Sequence, residues 1–161
     1  MKVVILAGGL GTRLSEHTKF IPKPMIKIGK FPILIHIMRH YLKYGLNEFI
    51  VAAGYKAEIL KKYFPKFKKY GLNFEHNVKG KKCIINIIHT GKNTMTGGRI
   101  KRLQYLFNPD DQFMFTYGDG IANVNLKKLL QFHEKKRKII TITAVRPPAR
   151  FGEIIIKNDL A

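Results

Sequence analysis

Cysteine is almost absent from this chain, since Cys83 is the single copy among 161 residues. An internal disulfide and a cysteine-based metal site are therefore excluded, and a reducing cytoplasmic location is expected. Long apolar runs are also missing. The apolar stretch at 3–7 is too brief for the core of a signal peptide and far too brief for a membrane span. Residues 2–7 are therefore interpreted as a buried strand, and no membrane partner is expected.

Acidic side chains are scarce as well. Ten Asp and Glu stand against thirty Lys and Arg, which gives a net charge of +20. Such an excess can indicate nucleic-acid binding. However, the densest basic clusters, at 56–69 and 134–138, lie in or beside predicted helices, where a run of charge is usually a solvated face. No nucleic-acid motif accompanies them, so nucleic acid is the less favoured partner.

The chain does contain a regular alternation of short apolar strands and helices. Strands are predicted at 2–7, 48–53, 83–88, 113–117, 139–145 and 152–157, and helices at 33–44, 57–63, 98–107 and 126–137. This alternation predicts an α/β fold, one domain over 1–161 with a mostly parallel sheet and helices on both faces. Ligands in such sheets bind beyond the carboxyl ends of the strands.

A glycine-rich turn, Gly8-Gly9-Leu10-Gly11-Thr12-Arg13, follows the first strand. Glycine allows backbone N–H groups to approach phosphate oxygens closely. The turn fits neither common phosphate-loop pattern, because Leu14 replaces the third glycine of the dinucleotide pattern and 23–35 contains no acidic residue. The Walker pattern would need Gly-Lys-Ser/Thr where the chain has Gly11-Thr12-Arg13. On these residues alone, a phosphate loop and a structural turn both stay open.

The wider pattern resembles the sugar-phosphate nucleotidyltransferases. That resemblance rests on the turn with its flanks at 6–14, on Ile-Pro-Lys-Pro-Met at 21–25, and on Gly29. Further stretches at 94–102, 115–120 and 146–152 are similar to the glucose-1-phosphate cytidylyltransferases within that superfamily. Their pieces Met-Thr-Gly-Gly-Arg and Phe-Thr-Tyr-Gly-Asp-Gly are narrow to this subfamily. The resemblance runs over the whole chain and implies a Rossmann-like nucleotidyltransferase fold.

The resemblance implies formation of CDP-glucose and pyrophosphate from CTP and glucose-1-phosphate with Mg²⁺, in polysaccharide biosynthesis. It implies catalytic roles for Arg13 and Lys23 at the phosphates, and Asp119 as a Mg²⁺ ligand. The nucleotide contacts that it implies are Leu6, Ala7, Gly8, Gly9, Gly11, Thr12, Arg13, Lys23, Thr94, Arg99 and Gly118.

The chemistry of these residue types suits the implied roles. Arginine is a planar, permanently charged fork that clamps phosphate, and lysine is a point charge, here constrained between Pro22 and Pro24. Plainer interpretations stay open beside them: Arg99 as a solvated helix residue, and Gly118-Asp119-Gly120 as an ordinary turn.

Other candidate residues have simpler explanations. His36 and His40 share a helix face, but the Glu of a zinc-binding His-Glu-x-x-His pattern is missing. Asp110-Asp111 is predicted to be a turn before the strand at 113–117. The aromatic residues between 63 and 70 could stack bases, and one face of an amphipathic helix explains them more simply.

The chain departs from the family pattern in three places. Ile21 stands where the family usually has a lysine, and the region between Phe64 and Thr90 is shorter. Family enzymes also continue beyond the position of Ala161 with a sugar-binding segment and a second metal-binding Asp. We therefore expect the nucleotide-binding portion of such an enzyme. A non-catalytic nucleotide-binding domain, use of UTP or dTTP with another sugar-1-phosphate, and a homo-oligomeric state stay open.

Overall fold

The computed structural model of the chain describes residues 1–9, 20–64 and 83–145. In chain order its elements are β1 (Lys2–Ala7), a 3₁₀ turn (Lys23–Met25), β2 (Lys27–Ile28), β3 (Phe31–Pro32), α1 (Ile33–Lys43), β4 (Glu48–Ala53), α2 (Ala57–Tyr63), β5 (Ile84–His89), α3 (Thr96–Lys101), a second 3₁₀ turn (Gln104–Leu106), β6 (Phe113–Tyr117) and α4 (Leu126–Lys136).

Within the described residues, four parallel strands form the central sheet in the order β5-β4-β1-β6. The register places Val4 of β1 beside Ile50 of β4 on one side and Phe115 of β6 on the other. The short strands β2 and β3 form a separate antiparallel pair. The predicted α/β fold with a mostly parallel sheet is confirmed.

Both faces of the sheet are covered around β1 and β4. Successive side chains of a strand point to opposite faces. Val4, Leu6, Ile50 and Ala52 pack with Leu103 in one buried cluster. The alternating residues Val3, Ile5, Phe49 and Val51 are fully buried too. The continuous apolar runs of β1 and β4 therefore have the pattern typical of central parallel strands.

The predicted helix over 98–107 is wrong in its bounds. Helix α3 begins at Thr96 and ends at Lys101, and the chain then tightens into 3₁₀ geometry. The Leu103 N–H donates to the Ile100 carbonyl at 2.9 Å, three residues back. The tighter winding accompanies the burial of Leu103 against the sheet, so tertiary packing overrides the helical pattern here.

The predicted strand over 139–145 is also wrong. These residues belong to neither a helix nor a strand, and Ile139 is 99% exposed. A β-branched run forms a stable strand only when a neighbour satisfies its backbone groups and covers one face. Among the described residues 139–145 have no strand partner. The strand predicted at 152–157 lies outside the described residues.

The chain divides into two compact units, Met1–Leu126 and Lys127–Ala161. The first holds the four-stranded sheet. The second holds α4 from Lys127 onward, and the one buried residue of that helix is Leu126 at its start. Within the second unit a hydrogen bond joins His133 Nδ1 and Thr141 Oγ1 at 2.7 Å. One domain over the whole chain stays a prediction.

Candidate functional site

A cavity of about 360 Å³ lies at the carboxyl ends of β1 and β6. This is the edge at which parallel α/β sheets bind their ligands. It is lined by Leu6, Ala7, Gly8, Gly9, Lys23, Pro24, Thr94, Met95, Thr96, Arg99, Tyr117 and Asp119.

Close packing between two chain segments brings Lys23 to Asp119. Pro24 is buried in the 3₁₀ turn, and Gly118 is buried directly after β6. A Cβ at Gly118 would lie 3.0 Å from both the Pro24 Cγ and the Leu6 carbonyl oxygen, so glycine permits this approach. The Gly118 N–H also donates to the Leu6 carbonyl at 2.9 Å. The residues adjacent to this contact, Lys23 and Asp119, therefore face each other.

Lys23 and Asp119 form an ion pair at the cavity wall. The Lys23 Nζ donates to the Asp119 Oδ2 at 2.5 Å. The side chains are 28% and 37% exposed, so both remain accessible to a ligand that enters the cavity. The sequence predicted these residues as a phosphate-binding cation and a metal ligand, and the structure brings the two together.

The start of the glycine turn is fixed by its carbonyl group. The Gly8 carbonyl accepts a hydrogen bond from the Tyr55 N–H at 3.3 Å and another from the Arg99 Nη2 at 2.8 Å. Gly8 is buried, whereas Gly9 is exposed at the cavity. The remaining predicted turn residues, Gly11, Thr12 and Arg13, lie outside the described residues.

Arg99 is a buried cation, only 5% exposed. Its Nη1 donates to the Thr90 Oγ1 at 2.8 Å and to the carbonyls of Gly91 at 2.7 Å and Ala53 at 3.4 Å. Its Nη2 donates to the carbonyls of Gly8 and, at 3.2 Å, Lys92. Burial, with a smaller effect from the neighbouring positive charge of Arg102, lowers the pKa of Arg99 from its usual value. The plain interpretation of Arg99 as a solvated helix residue is wrong.

The ring nitrogens of the histidine pair, His36 and His40, lie beside backbone carbonyl oxygens. The His36 Nε2 lies 3.0 Å from the Ile28 carbonyl oxygen, and the His40 Nε2 lies 2.9 Å from that of Val124. Within 1–9, 20–64 and 83–145, no group of three or more His, Cys, Asp or Glu side chains is placed to hold a metal ion. Asp119 supplies the cavity with one carboxylate.

Most of the predicted nucleotide contacts that the structure describes line this cavity. Leu6, Ala7, Gly8, Gly9, Lys23, Thr94 and Arg99 do so, together with the predicted metal ligand Asp119. Gly118 lies between the lining residues Tyr117 and Asp119 in sequence. Their roles toward a nucleotide stay predictions.

Four further lining residues were not predicted as site residues: Pro24, Met95, Thr96 and Tyr117. Met95 and Tyr117 are 81% and 55% exposed, which is unusual for such large side chains. A signal was available, because all four belong to stretches that carried the family resemblance, at 21–25, 94–102 and 115–120. Within these stretches the resemblance assigned roles to other residues, namely Lys23, Thr94, Arg99, Gly118 and Asp119.

Residues 2–160 match the family described as nucleotidyl transferase. The chain belongs to the nucleotidyl transferase family. Glucose-1-phosphate cytidylyltransferase of Salmonella typhimurium is 42% identical over 167 residues, which cover 98% of this chain and 65% of that protein. A probable glucose-1-phosphate cytidylyltransferase of Bacillus subtilis is 40% identical over 170 residues, covering 100% and 66%. The chain thus spans just under two thirds of the length of these curated relatives.

Two solved structures share the fold. HddC from Yersinia pseudotuberculosis complexed with GMP-PN superposes with a TM-score of 0.63 at 30% identity, covering 82% of this chain and 53% of that one. A UDP-glucose pyrophosphorylase complexed with UDP-glucose gives 0.64 at 20% identity, covering 84% and 54%. In the described part of the chain, no helix has the length and apolar content needed to cross a membrane.

Proposed function

We propose that this chain binds CTP in the cavity beyond β1 and β6 and joins its nucleotidyl group to glucose-1-phosphate. The observation that carries the proposal is the meeting of Gly8, Gly9, Lys23, Thr94 and Asp119 around one cavity in a chain of this family. The similarity to cytidylyltransferases of two bacteria supports the choice of CTP and glucose-1-phosphate.

The proposed reaction is an in-line substitution at the α-phosphorus of CTP. A phosphate oxygen of glucose-1-phosphate forms a bond to that phosphorus, and the bond from phosphorus to the bridging α–β oxygen breaks. Pyrophosphate leaves with the electron pair of the broken bond, and CDP-glucose is formed. Because both reactants are anions, the protein's task is to align them and to offset their charge.

The residues at the cavity can perform this task. Gly9 is exposed directly after the end of β1, where its N–H can donate to phosphate oxygens. Lys23 supplies a positive charge 2.5 Å from Asp119 and can transfer that contact to a phosphate. Arg13 is proposed as a second phosphate clamp from the same turn.

The cavity could bind Mg²⁺ jointly with the phosphates of CTP, since its described residues offer one carboxylate. Mg²⁺ commonly binds through one or two carboxylates together with substrate phosphates and water. Asp119 offers one such carboxylate beside the proposed phosphate position, so the residues fit a metal that arrives with CTP. When bound, Mg²⁺ would supply further neutralisation of phosphate charge. The metal, a cytoplasmic location, a role in polysaccharide biosynthesis and a homo-oligomeric state are all parts of this proposal.

A non-catalytic nucleotide-binding domain is the second candidate function. It is favoured by the single carboxylate among the described cavity residues. Use of UTP or dTTP with another sugar-1-phosphate is a variant of the first candidate.

Pyrophosphate release separates these candidates. The chain is incubated with glucose-1-phosphate, Mg²⁺ and each of CTP, UTP, dTTP and GTP, and pyrophosphate and nucleotide sugar are quantified. The proposal expects equal amounts of pyrophosphate and CDP-glucose, formed fastest with CTP. Calorimetric binding of CTP without product would select the non-catalytic domain. Absence of both binding and product would contradict both candidates.

A further inference from the structure

The guanidinium of Arg99 lies where three parallel strands end. Its five oxygen acceptors follow or close β1, β4 and β5: Gly8, Ala53, Thr90, Gly91 and Lys92. Four are backbone carbonyls and one is the Thr90 hydroxyl, and none is a carboxylate. A buried guanidinium is costly unless its donors are satisfied. Here the two Nη atoms have four N–H groups and five acceptors, so their donors are fully engaged with the protein.

Two glycines make room for this cation. A Cβ at Gly8 would collide with the Arg99 guanidinium. A Cβ at Gly54 would lie 2.5 Å from the Arg99 Nη1, 2.7 Å from the Gly91 carbonyl oxygen and 2.8 Å from that of Gly8. Real Cβ atoms do not approach other atoms this closely. The side-chain-free surface of Gly8 and Gly54 is therefore part of the Arg99 binding pocket.

The hydrogen bonds to the Gly8 carbonyl also fix the direction of the Gly9 N–H. The Gly8 carbonyl and the Gly9 N–H belong to one planar trans peptide, in which the two groups point in opposite directions. With the carbonyl bound to Arg99 and to the Tyr55 N–H, this peptide cannot rotate freely. The Gly9 N–H is the group proposed above to donate to a phosphate.

We propose that Arg99 is a positioning residue that orients the Gly8–Gly9 peptide for phosphate binding. It acts through the Gly8 carbonyl, to which its Nη2 donates at 2.8 Å. This role rests on the proposed binding of CTP in the cavity. Arg99 also lines the cavity, so the positioning role stands beside the nucleotide contact that family resemblance implies for it.

Gly54→Ala tests this role without touching charge or ligand. Gly54 does not line the cavity, and the substitution keeps Arg99. The added methyl group would lie too close to the guanidinium and to the Gly91 and Gly8 carbonyl oxygens, so these groups must move. The Kd for CTP measured by calorimetry should therefore rise about tenfold, as expected for one well-placed hydrogen bond. Gly97→Ala is the matched control, because a Cβ there meets nothing within 4 Å. It should bind CTP like the wild type.

Arg99→Lys distinguishes positioning from direct phosphate contact. Lysine keeps the charge but is a single point donor that cannot reach five acceptors on three strand ends. Positioning predicts that Arg99→Lys binds CTP as weakly as Arg99→Met, and that Gly54→Ala adds little to Arg99→Met. Wild-type affinity in Gly54→Ala, or near-complete recovery in Arg99→Lys, would overturn the inference.

The amide resonance of Gly9 supplies a readout that needs no ligand. It should shift in Gly54→Ala and in Arg99→Lys but stay in place in Gly97→Ala, with circular dichroism showing that each variant is folded. If Gly54→Ala does not fold, Arg99→Lys carries the test. Failure of the wild type to bind CTP would overturn the proposed function. In that case an unchanged Gly9 resonance would separately refute the role of Arg99.

Discussion

At the scale of single residues, Lys23 is a partly buried cation whose position the structure explains. Pro22 precedes it, it begins the 3₁₀ turn, and Pro24 within that turn packs on Gly118 beside Asp119. We expect Lys23→Met to weaken CTP binding by about tenfold to a hundredfold, since hydrogen bonds to charged groups contribute ~1.5–3 kcal/mol. The measurement is calorimetric titration with CTP and Mg²⁺.

Lys27→Met is the matched control for that prediction. Lys27 is exposed on β2, four residues further along the chain, and does not line the cavity. Its substitution removes the same charge and should change CTP affinity little. Equal losses in the two variants would mean that general positive charge, rather than a contact from Lys23, attracts the nucleotide.

Lys23 and Arg99 differ in how far the sequence predicts their surroundings. The constrained direction of Lys23 was predictable from its flanking prolines, because proline fixes the local backbone. The surroundings of Arg99 were not. Its acceptors at Gly8 and Ala53 lie 91 and 46 residues away in sequence, and backbone carbonyls occur at every residue. No residue type or spacing marks such a site, so only the folded strand order reveals it.

At the scale of elements, the apolar pattern predicted the parallel sheet well. The strands at 2–7, 48–53 and 113–117 have the predicted bounds, and β5 is shifted by one residue to 84–89. The pattern failed where tertiary contacts decide the structure. Burial of Leu103 shortens the predicted helix over 98–107, and 139–145 has strand-like residues without a strand neighbour in the described chain.

The turn before β6 was also predicted, and it contains a hydrogen-bonded carboxylate. The Asp111 Oδ2 accepts from the Asn108 N–H at 3.0 Å, and the Asp111 N–H donates to the Asn108 carbonyl at 3.0 Å. The backbone hydrogen bond from Asn108 is the main cause that lowers the pKa of Asp111 below 3.8. Asp111 thereby helps to fix the entry of the chain into β6.

Asp111→Ala should therefore lower stability in a pH-dependent way. A depressed carboxyl pKa contributes stability above the unfolded value of 3.8, and this contribution is lost as the pH falls through the folded value. Urea unfolding at neutral pH should give a lower midpoint for Asp111→Ala than for Asp110→Ala, its neighbour in the turn. In acid below the folded pKa, the two midpoints should converge. A gap that persists in acid would refute this assignment.

At the scale of the whole molecule, the cations behind the net charge of +20 fall into two groups that would bind different ligands. One is a broad basic surface, which includes the exposed lysines of α4. The other is the pair of cations at the cavity, Lys23 and the buried Arg99. A surface of this charge attracts any polyanion in a salt-dependent way. A cavity with two fixed cations and a glycine turn is suited instead to a compact ligand with several phosphates.

Nuclear magnetic resonance titration of the ¹⁵N-labelled chain with CTP and Mg²⁺ tests whether the cavity binds the nucleotide. We expect saturable shifts concentrated at the cavity, including the amides of Gly8, Gly9, Thr94, Gly118 and Asp119, that persist at raised salt. Shifts confined to the basic surface, spread over the lysines of α4 and abolished by salt, would contradict binding in the cavity. Absence of any shift in a folded chain would contradict it equally.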